Sequence, residues 1–221
     1  MGQVSETYFK RDFWAKENLH YTEAHFRLEK VAGLVNRIAG ERECDLLDVG
    51  CGPATLERML RRNVQYHGID IAIHTQSPNL VQTDFVEGPV AFGGKRFDII
   101  VAQGVFEYVG KVQSQKFAEI RTLLKDGGTF VASYVNFNHR DTSIWPAYNN
   151  IQSIGEFRAG LAAVFDIDHS FPTSHHWHHH EPRRHYMKRL QMHMNATLPI
   201  VSRLLAVEYL FICSLPGSKK R

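Results

Sequence analysis

Apolar residues early in the chain recur at helical spacing. Over residues 22–39 they place Leu28, Val31, Val35 and Ile38 on one face, and Gly40 supplies a stop. Beyond it the period shortens. Compact apolar runs predict strands at 44–49, 64–71, 79–85, 97–102, 129–135, 165–171 and 207–214. Helices are predicted over 55–62, 112–124 and 153–164, with Phe117, Ile120, Leu123 and Leu124 on one side of the second. A basic amphipathic helix is predicted over 182–195, with Met187, Leu190 and Met194 opposite Arg183, Arg184, Lys188 and Arg189. Lys125-Asp126-Gly127-Gly128 reads as a turn. Phe97, Ile99, Ile100 and Val101 form a nearly continuous apolar run, as in a strand covered on both faces. Strands alternating with helices imply an α/β fold with a largely parallel sheet and helices on both faces. In such sheets ligands bind beyond the carboxyl ends of the strands.

The 221 residues suffice for one core, so a single domain over 1–221 is expected. Within it, a helical segment (1–40) is expected to cover the active site, and an insertion or lid (172–206) to precede the last strand. No apolar run approaches the roughly 20 residues that span a bilayer, and MGQVSETYFKRDFW lacks the apolar stretch of a signal peptide. A cytoplasmic protein without stable membrane insertion is the expectation. Three cysteines with no CxxC pair argue against a disulfide framework or a zinc knuckle. The net charge of +3 is uneven, because residues 181–221 carry eight lysines and arginines against two acids. That basic tail is too modest to imply a nucleic-acid partner.

Candidate chemistry begins at Asp48-Val49-Gly50-Cys51-Gly52-Pro53-Ala54, directly after a strand and before a predicted helix. Glycines there let the backbone turn tightly and approach a ligand, and the helix start offers free N–H groups. The third glycine of G-x-G-x-x-G is missing, since position 55 is Thr. An acid also lies inside the motif. Asp48 would repel a pyrophosphate and suit a ligand with an ammonium group and no phosphates. The second strand ends in Gly68-Ile69-Asp70, 18 residues past Gly52, where a carboxylate can accept hydrogen bonds from ribose hydroxyls. The third ends in Gln82-Thr83-Asp84-Phe85, an acid for an exocyclic amine and a ring for a purine face. The fourth runs on into Gln103-Gly104-Val105-Phe106-Glu107-Tyr108.

Together, LLDVGCGPATL, GIDIA, QTDF, FDIIVAQGVFEYV and LLKDGGTFVAS resemble the motifs of the class I S-adenosylmethionine-dependent methyltransferases, over about residues 25–135. The likeness is nearest to the small-molecule branch. It implies a Rossmann-like doubly wound sheet of about seven strands, mostly parallel with an antiparallel last strand, and S-adenosylmethionine as cofactor. By position it implies that Asp48, Gly50 and Gly52 line the methionine part, Asp70 and the adjacent Ile71 hold the ribose side, and Asp84 takes the adenine amine. Phe85 would flank the ring and Gln103 would lie near the methionine. Arg27, with Lys30, would neutralise the methionine carboxylate. Two departures stand out: Ala54 replaces the third motif glycine, and only thirteen residues separate Asp70 from Asp84, so the usual helix between strands two and three is very short or absent.

In that family the acceptor is held by the N-terminal segment, the loop after strand five and the insertion before the last strand. All three are rich here in aromatics and histidines, giving Tyr8, Trp14, Tyr21, Tyr108 and Asn136 as acceptor-binding candidates. Tyr134, His139 and Glu107 are the candidates for contact with the reacting atom, because an oxygen acceptor usually needs a base. The histidine run 175–180 is a row rather than a metal-ligand spacing, so a surface loop is expected and no metal. The expected reaction is methyl transfer to N or O of a small-molecule acceptor. Two alternatives are an RNA or protein target with the same cofactor, and a non-catalytic domain that retains the fold. Strand four ends in Ala-Gln-Gly-Val rather than an Asn-Pro-Pro-Tyr sequence, which counts against base-amine chemistry on nucleic acid.

Overall fold

The computed structural model describes residues 22, 26–90, 92–139, 148–175 and 206–218. Seven strands form one sheet: β1 (Cys44–Val49), β2 (Val64–Asp70), β3 (Leu80–Gln82), β4 (Phe97–Ala102), β5 (Leu124–Val135), β6 (Asp166–His175) and β7 (Ala206–Ser214). Their order is β3-β2-β1-β4-β5-β7-β6. β1 to β5 pair in parallel, and β7 runs antiparallel to both its neighbours, β5 and β6. The expected doubly wound sheet with an antiparallel last strand is therefore present.

Alternation along the strands builds two apolar layers. On one face Leu46, Tyr66, Ile99, Val101, Val131 and Leu210 pack under α1 (Phe26–Ala39) through Val31, Ala32 and Val35. On the other, Leu47, Ile69, Ile100, Phe130 and Phe211 pack under α2 (Gln113–Leu123) and α3 (Ile154–Ala162) through Phe117, Ile120, Phe157 and Leu161. α3 starts on a capping box: the Ser153 hydroxyl accepts from Glu156 N, and the Glu156 carboxylate accepts from Ser153 N.

Several elements differ from the sequence reading. The expected helix 55–62 is only a 3-10 turn at Glu57–Met59. Asn36 on α1 fixes that segment, donating to Met59 O and accepting from Arg61 N at 2.9 Å, so tertiary contacts override local helix propensity. The third strand stops at Gln82, because the Asp84 carboxylate accepts from Val86 N (2.8 Å) and Gly88 N bonds Asp84 O, starting a turn. The connection from Asp70 to β3 contains no helix, as the short spacing implied. The Lys125–Gly128 turn is absorbed into β5 as an irregularity: the register with β4 shifts between Phe97 and Ile99, and Gly127 has φ +76°. β6 extends to His175, so residues 172–175 of the expected insertion are strand, and Pro172 is tolerated because β6 is the sheet edge. Ala206 of that insertion begins β7, and its residues 176–205, with the basic helix 182–195 and histidines 176–180, lie outside the described residues.

Candidate active site

Strand order reverses between β1 and β4, and the register pairs Val49 with Ala102. The loops after the two strands therefore leave the sheet side by side, forming the crevice where doubly wound sheets bind ligands. Gly50 is the point of closest approach. Its φ is +72°, and a Cβ there would lie 2.6 Å from Val105 Cγ2. Only glycine leaves both the turn and the space intact. Gly52 follows with φ +53°, and Ala54 adopts φ +56°, the left-handed conformation that the missing glycine would take without strain.

Two acids flank this loop. Asp48 is buried, and its Oδ2 accepts from the Tyr66 hydroxyl at 2.7 Å. Burial pushes its carboxyl up to about 7, the Tyr66 bond opposes the rise, and the Asp70 charge adds to it. Asp70 accepts from Gly52 N (2.8 Å) and Ala72 N (3.0 Å), so the acid ending β2 also shapes the glycine loop. Ile71 O accepts from Gln82 Nε2, tying the ends of β2 and β3 together. Asp84 stands at the mouth of the turn after β3. Phe85 is drawn into the core, edge-on to Phe106 with the Lys116 ammonium 5.0 Å over its ring. Gln103 is half-buried beside Gly104, which has φ +68° and donates its N–H to Ser133 Oγ at 2.9 Å.

A second polar group joins α1 to β6 and β7, with Glu107, beyond the end of β4, within range of its charges. Arg27 on α1 makes a bidentate pair with Glu208 on β7, through Nε at 2.8 Å and through Nη2. Glu208 also accepts from Thr173 Oγ1 at 2.9 Å. Burial works against its charge, but Arg27 and the hydroxyl donors hold its carboxyl below the usual value. Lys30 donates to Thr173 O at 2.6 Å, and burial lowers its ammonium to about 8 against the pull of Glu208. Glu107 is 1% exposed, and its Oε1 accepts from Val135 N at 2.9 Å.

The remaining acceptor candidates divide. Tyr134 is fully buried and stacked on Phe157 with centroids 4.1 Å apart. Its hydroxyl donates to Asn150 O and accepts from Gln152 N. Asn136 is buried and bridges Ala206 O to Asn138 N. Tyr108 stacks on Tyr148. His139 ends a 3-10 turn at Phe137–His139. Tyr8, Trp14 and Tyr21 lie outside the described residues. Sequence reasoning missed Tyr66 and Glu208. The signal for Glu208 was there: a lone acid inside the apolar run Val207-Glu208-Tyr209-Leu210-Phe211. Tyr66 gave none, since an aromatic on a strand ordinarily reads as core.

These residues fit S-adenosylmethionine. The glycine turn is a cradle that a Cβ would fill, a buried carboxyl would suit an ammonium, and the acids ending β2 and following β3 are acceptors of the kind that a nucleoside's hydroxyls and amine would need. The family model described as a methyltransferase domain matches residues 23–194. No functionally curated protein matches the chain. Among solved structures, the chain is similar to the methyltransferase in a complex with the Haloferax volcanii Trm112 methyltransferase activator (18% identity, 99% of this chain and 100% of that one, TM-score 0.66). It is also similar to the [4+2]-cyclase SpnF (18%, 97% and 95%, TM-score 0.62). A third is a TehB-like SAM-dependent methyltransferase from Corynebacterium glutamicum (14%, 96% and 97%, TM-score 0.54). At these identities the structures establish the shared fold, and the family model establishes more: the chain belongs to the methyltransferase-domain family and is an S-adenosylmethionine-dependent methyltransferase.

Proposed function

We propose that the chain methylates an N or O atom of a small-molecule acceptor. What supports this is that the polar residues read as the acceptor end, Glu107, Tyr134 and Asn136, are all buried, at 1%, 0% and 7% exposure. A polymer needs an open track, whereas a metabolite-sized acceptor is compatible with buried polar groups. The bound cofactor supplies an electrophilic methyl on a sulfonium. The protein's contribution is alignment and exclusion of water, since charge disperses as the methyl transfers.

In this reading Asp48 faces the methionine ammonium, with Gly50, Gly52 and Gln103 beside the same moiety. Asp70 accepts from the ribose, Ile71 covers one side of the adenine, and Asp84 accepts from its amine. Phe85 supports that wall from the core. Arg27 acts through Glu208, holding α1 against the sheet beside Gly104. Tyr108 and Asn136 border the acceptor, and Tyr134 anchors the 150–152 segment. A cytoplasmic location fits this role, and among the described residues no helix is long and apolar enough to cross a membrane.

Incubation of the protein with trideuteriomethyl S-adenosylmethionine and a cell extract tests the reading. Label is expected in the metabolite fraction. Label confined to RNA or protein favours the second reading, a macromolecular target reached with an activator. That reading draws on the likeness, over nearly the whole of both chains, to a methyltransferase solved with its activator.

A further inference from the structure

Glu107 joins three parts of the molecule. Its backbone carbonyl accepts from Asn149 N and Asn150 N, at 3.2 and 3.1 Å, and its Oε1 accepts from Val135 N. β4 has already ended at Ala102, whereas β5 continues to Val135, so the carboxyl stands beyond the end of β4 against the free flank of β5. Its other oxygen, Oε2, is buried and has no hydrogen-bond partner among the described residues. A buried carboxyl oxygen left this way costs about 1–3 kcal/mol, more when charged. An N–H or O–H of a bound molecule would satisfy it.

We propose that Glu107 Oε2 is the proton acceptor of the methyl transfer, and that the acceptor is therefore a protic nucleophile, an N–H or O–H compound. As the acceptor's N or O bonds to the methyl carbon, the carbon–sulfur bond breaks and its electron pair neutralises the sulfonium. The proton leaves the same N or O for Glu107 Oε2. The inference rests on the small-molecule reading above. It also favours Glu107 over Tyr134, another of the residues considered from sequence. The Tyr134 hydroxyl is engaged as both donor and acceptor, and burial and the nearby Glu107 charge hold its proton more tightly than usual. Burial also brings Glu107 to about 7; its own backbone N–H, Arg27 and the Val135 N–H lower it, and the Glu208 charge raises it. A base in that range is half-ionised where it has to work. The charged and titratable groups that bear on it are Arg27 from α1, Glu208 from β7 and Tyr134 from β5.

Glu107→Gln tests the proposal, because an amide oxygen still accepts from Val135 N. With the labelled cofactor and extract, wild-type product should carry the methyl on an N or O that previously bore hydrogen. The variant should lose roughly 100-fold or more in turnover, while its affinity for S-adenosylhomocysteine stays within about twofold by calorimetry. The wild-type pH–rate profile should rise through about 7 and the variant's should be flat. Independently of turnover, the wild-type-minus-variant infrared spectrum should show a protonated carboxyl band that disappears over the same range. Near wild-type turnover in the variant, or methylation at an atom without an exchangeable proton, overturns the role of Glu107. Wild-type protein that binds S-adenosylhomocysteine but labels no metabolite instead overturns the small-molecule reading beneath it.

Discussion

The carboxylate of Asp70 accepts a hydrogen bond from the backbone N–H of Gly52 at 2.8 Å. The acid that ends β2 thus stiffens the loop that follows β1, and a second bond to Ala72 N fixes the carboxylate itself. Asp70→Ala would leave two loop N–H groups without acceptors, at about 1–3 kcal/mol for each that stays buried. The expected outcome is a lower unfolding midpoint in urea and at least a tenfold loss of S-adenosylhomocysteine affinity. Asp70→Asn, which keeps one acceptor, should fall between. Wild-type affinity in Asp70→Ala would show that the cofactor does not use this carboxylate.

Gly50 and Gly40 offer a matched comparison. Both have positive φ, +72° and +59°, but a Cβ at Gly40 meets nothing within 4 Å, whereas one at Gly50 would lie 2.6 Å from Val105 Cγ2. Gly40→Ala should cost about 1–2 kcal/mol from backbone strain alone. Gly50→Ala adds overpacking of about 1–3 kcal/mol and should also abolish measurable cofactor binding. Equal destabilisation of the two variants in urea would contradict the contact with Val105.

Asp48 ties stability and binding to pH in opposite directions. Its folded value, about 7, lies above its unfolded one, so the stabilisation from keeping it neutral is complete at low pH and is lost as pH rises through 7. Relative to Asp48→Asn, which stays neutral, wild type should therefore lose about 2–3 kcal/mol of stability from pH 5 to pH 8. An ammonium-bearing cofactor needs the ionised form, so affinity should instead climb over the same interval in wild type and stay level in the variant. Calorimetric titrations of both proteins at pH 6, 7 and 8 measure this, and a level wild-type affinity would separate Asp48 from the ammonium.

Arg27 and Glu208 are 181 residues apart in the chain. Glu208 is 2% exposed, so Arg27→Ala leaves an unpaired buried carboxylate and should cost about 3–5 kcal/mol. Adding Glu208→Gln removes the orphaned charge and should recover part of that loss. Strictly additive losses in the double mutant would mean that the pair is not coupled.

The centre of the sheet was legible because β1 and β4 are buried on both faces and so read as short apolar runs. β1 and β4 match the sequence reading at both ends. What failed was decided by contacts between segments: Asn36 turning 55–62 away from a helix, and a bulge taking in a Lys-Asp-Gly-Gly turn. At the site, the acids near the ends of β1, β2 and β3 were legible because each sits where an apolar run gives way to glycine or polar residues. Phe85 shows the opposite case. Its position beside Asp84 says nothing of where its ring points, and the ring packs inward under Lys116.

β7 lies between β5 and β6, and among the described residues it is the only strand that β6 pairs with. During synthesis β6 therefore emerges with its place in the sheet still vacant on one side, and no fragment stopping short of Ala206 can seat it. The salt link that pins α1 waits on the same event, because its acid arrives on β7. Completion of the sheet and locking of α1 thus form one late step, which couples assembly of the catalytic crevice to arrival of the last strand.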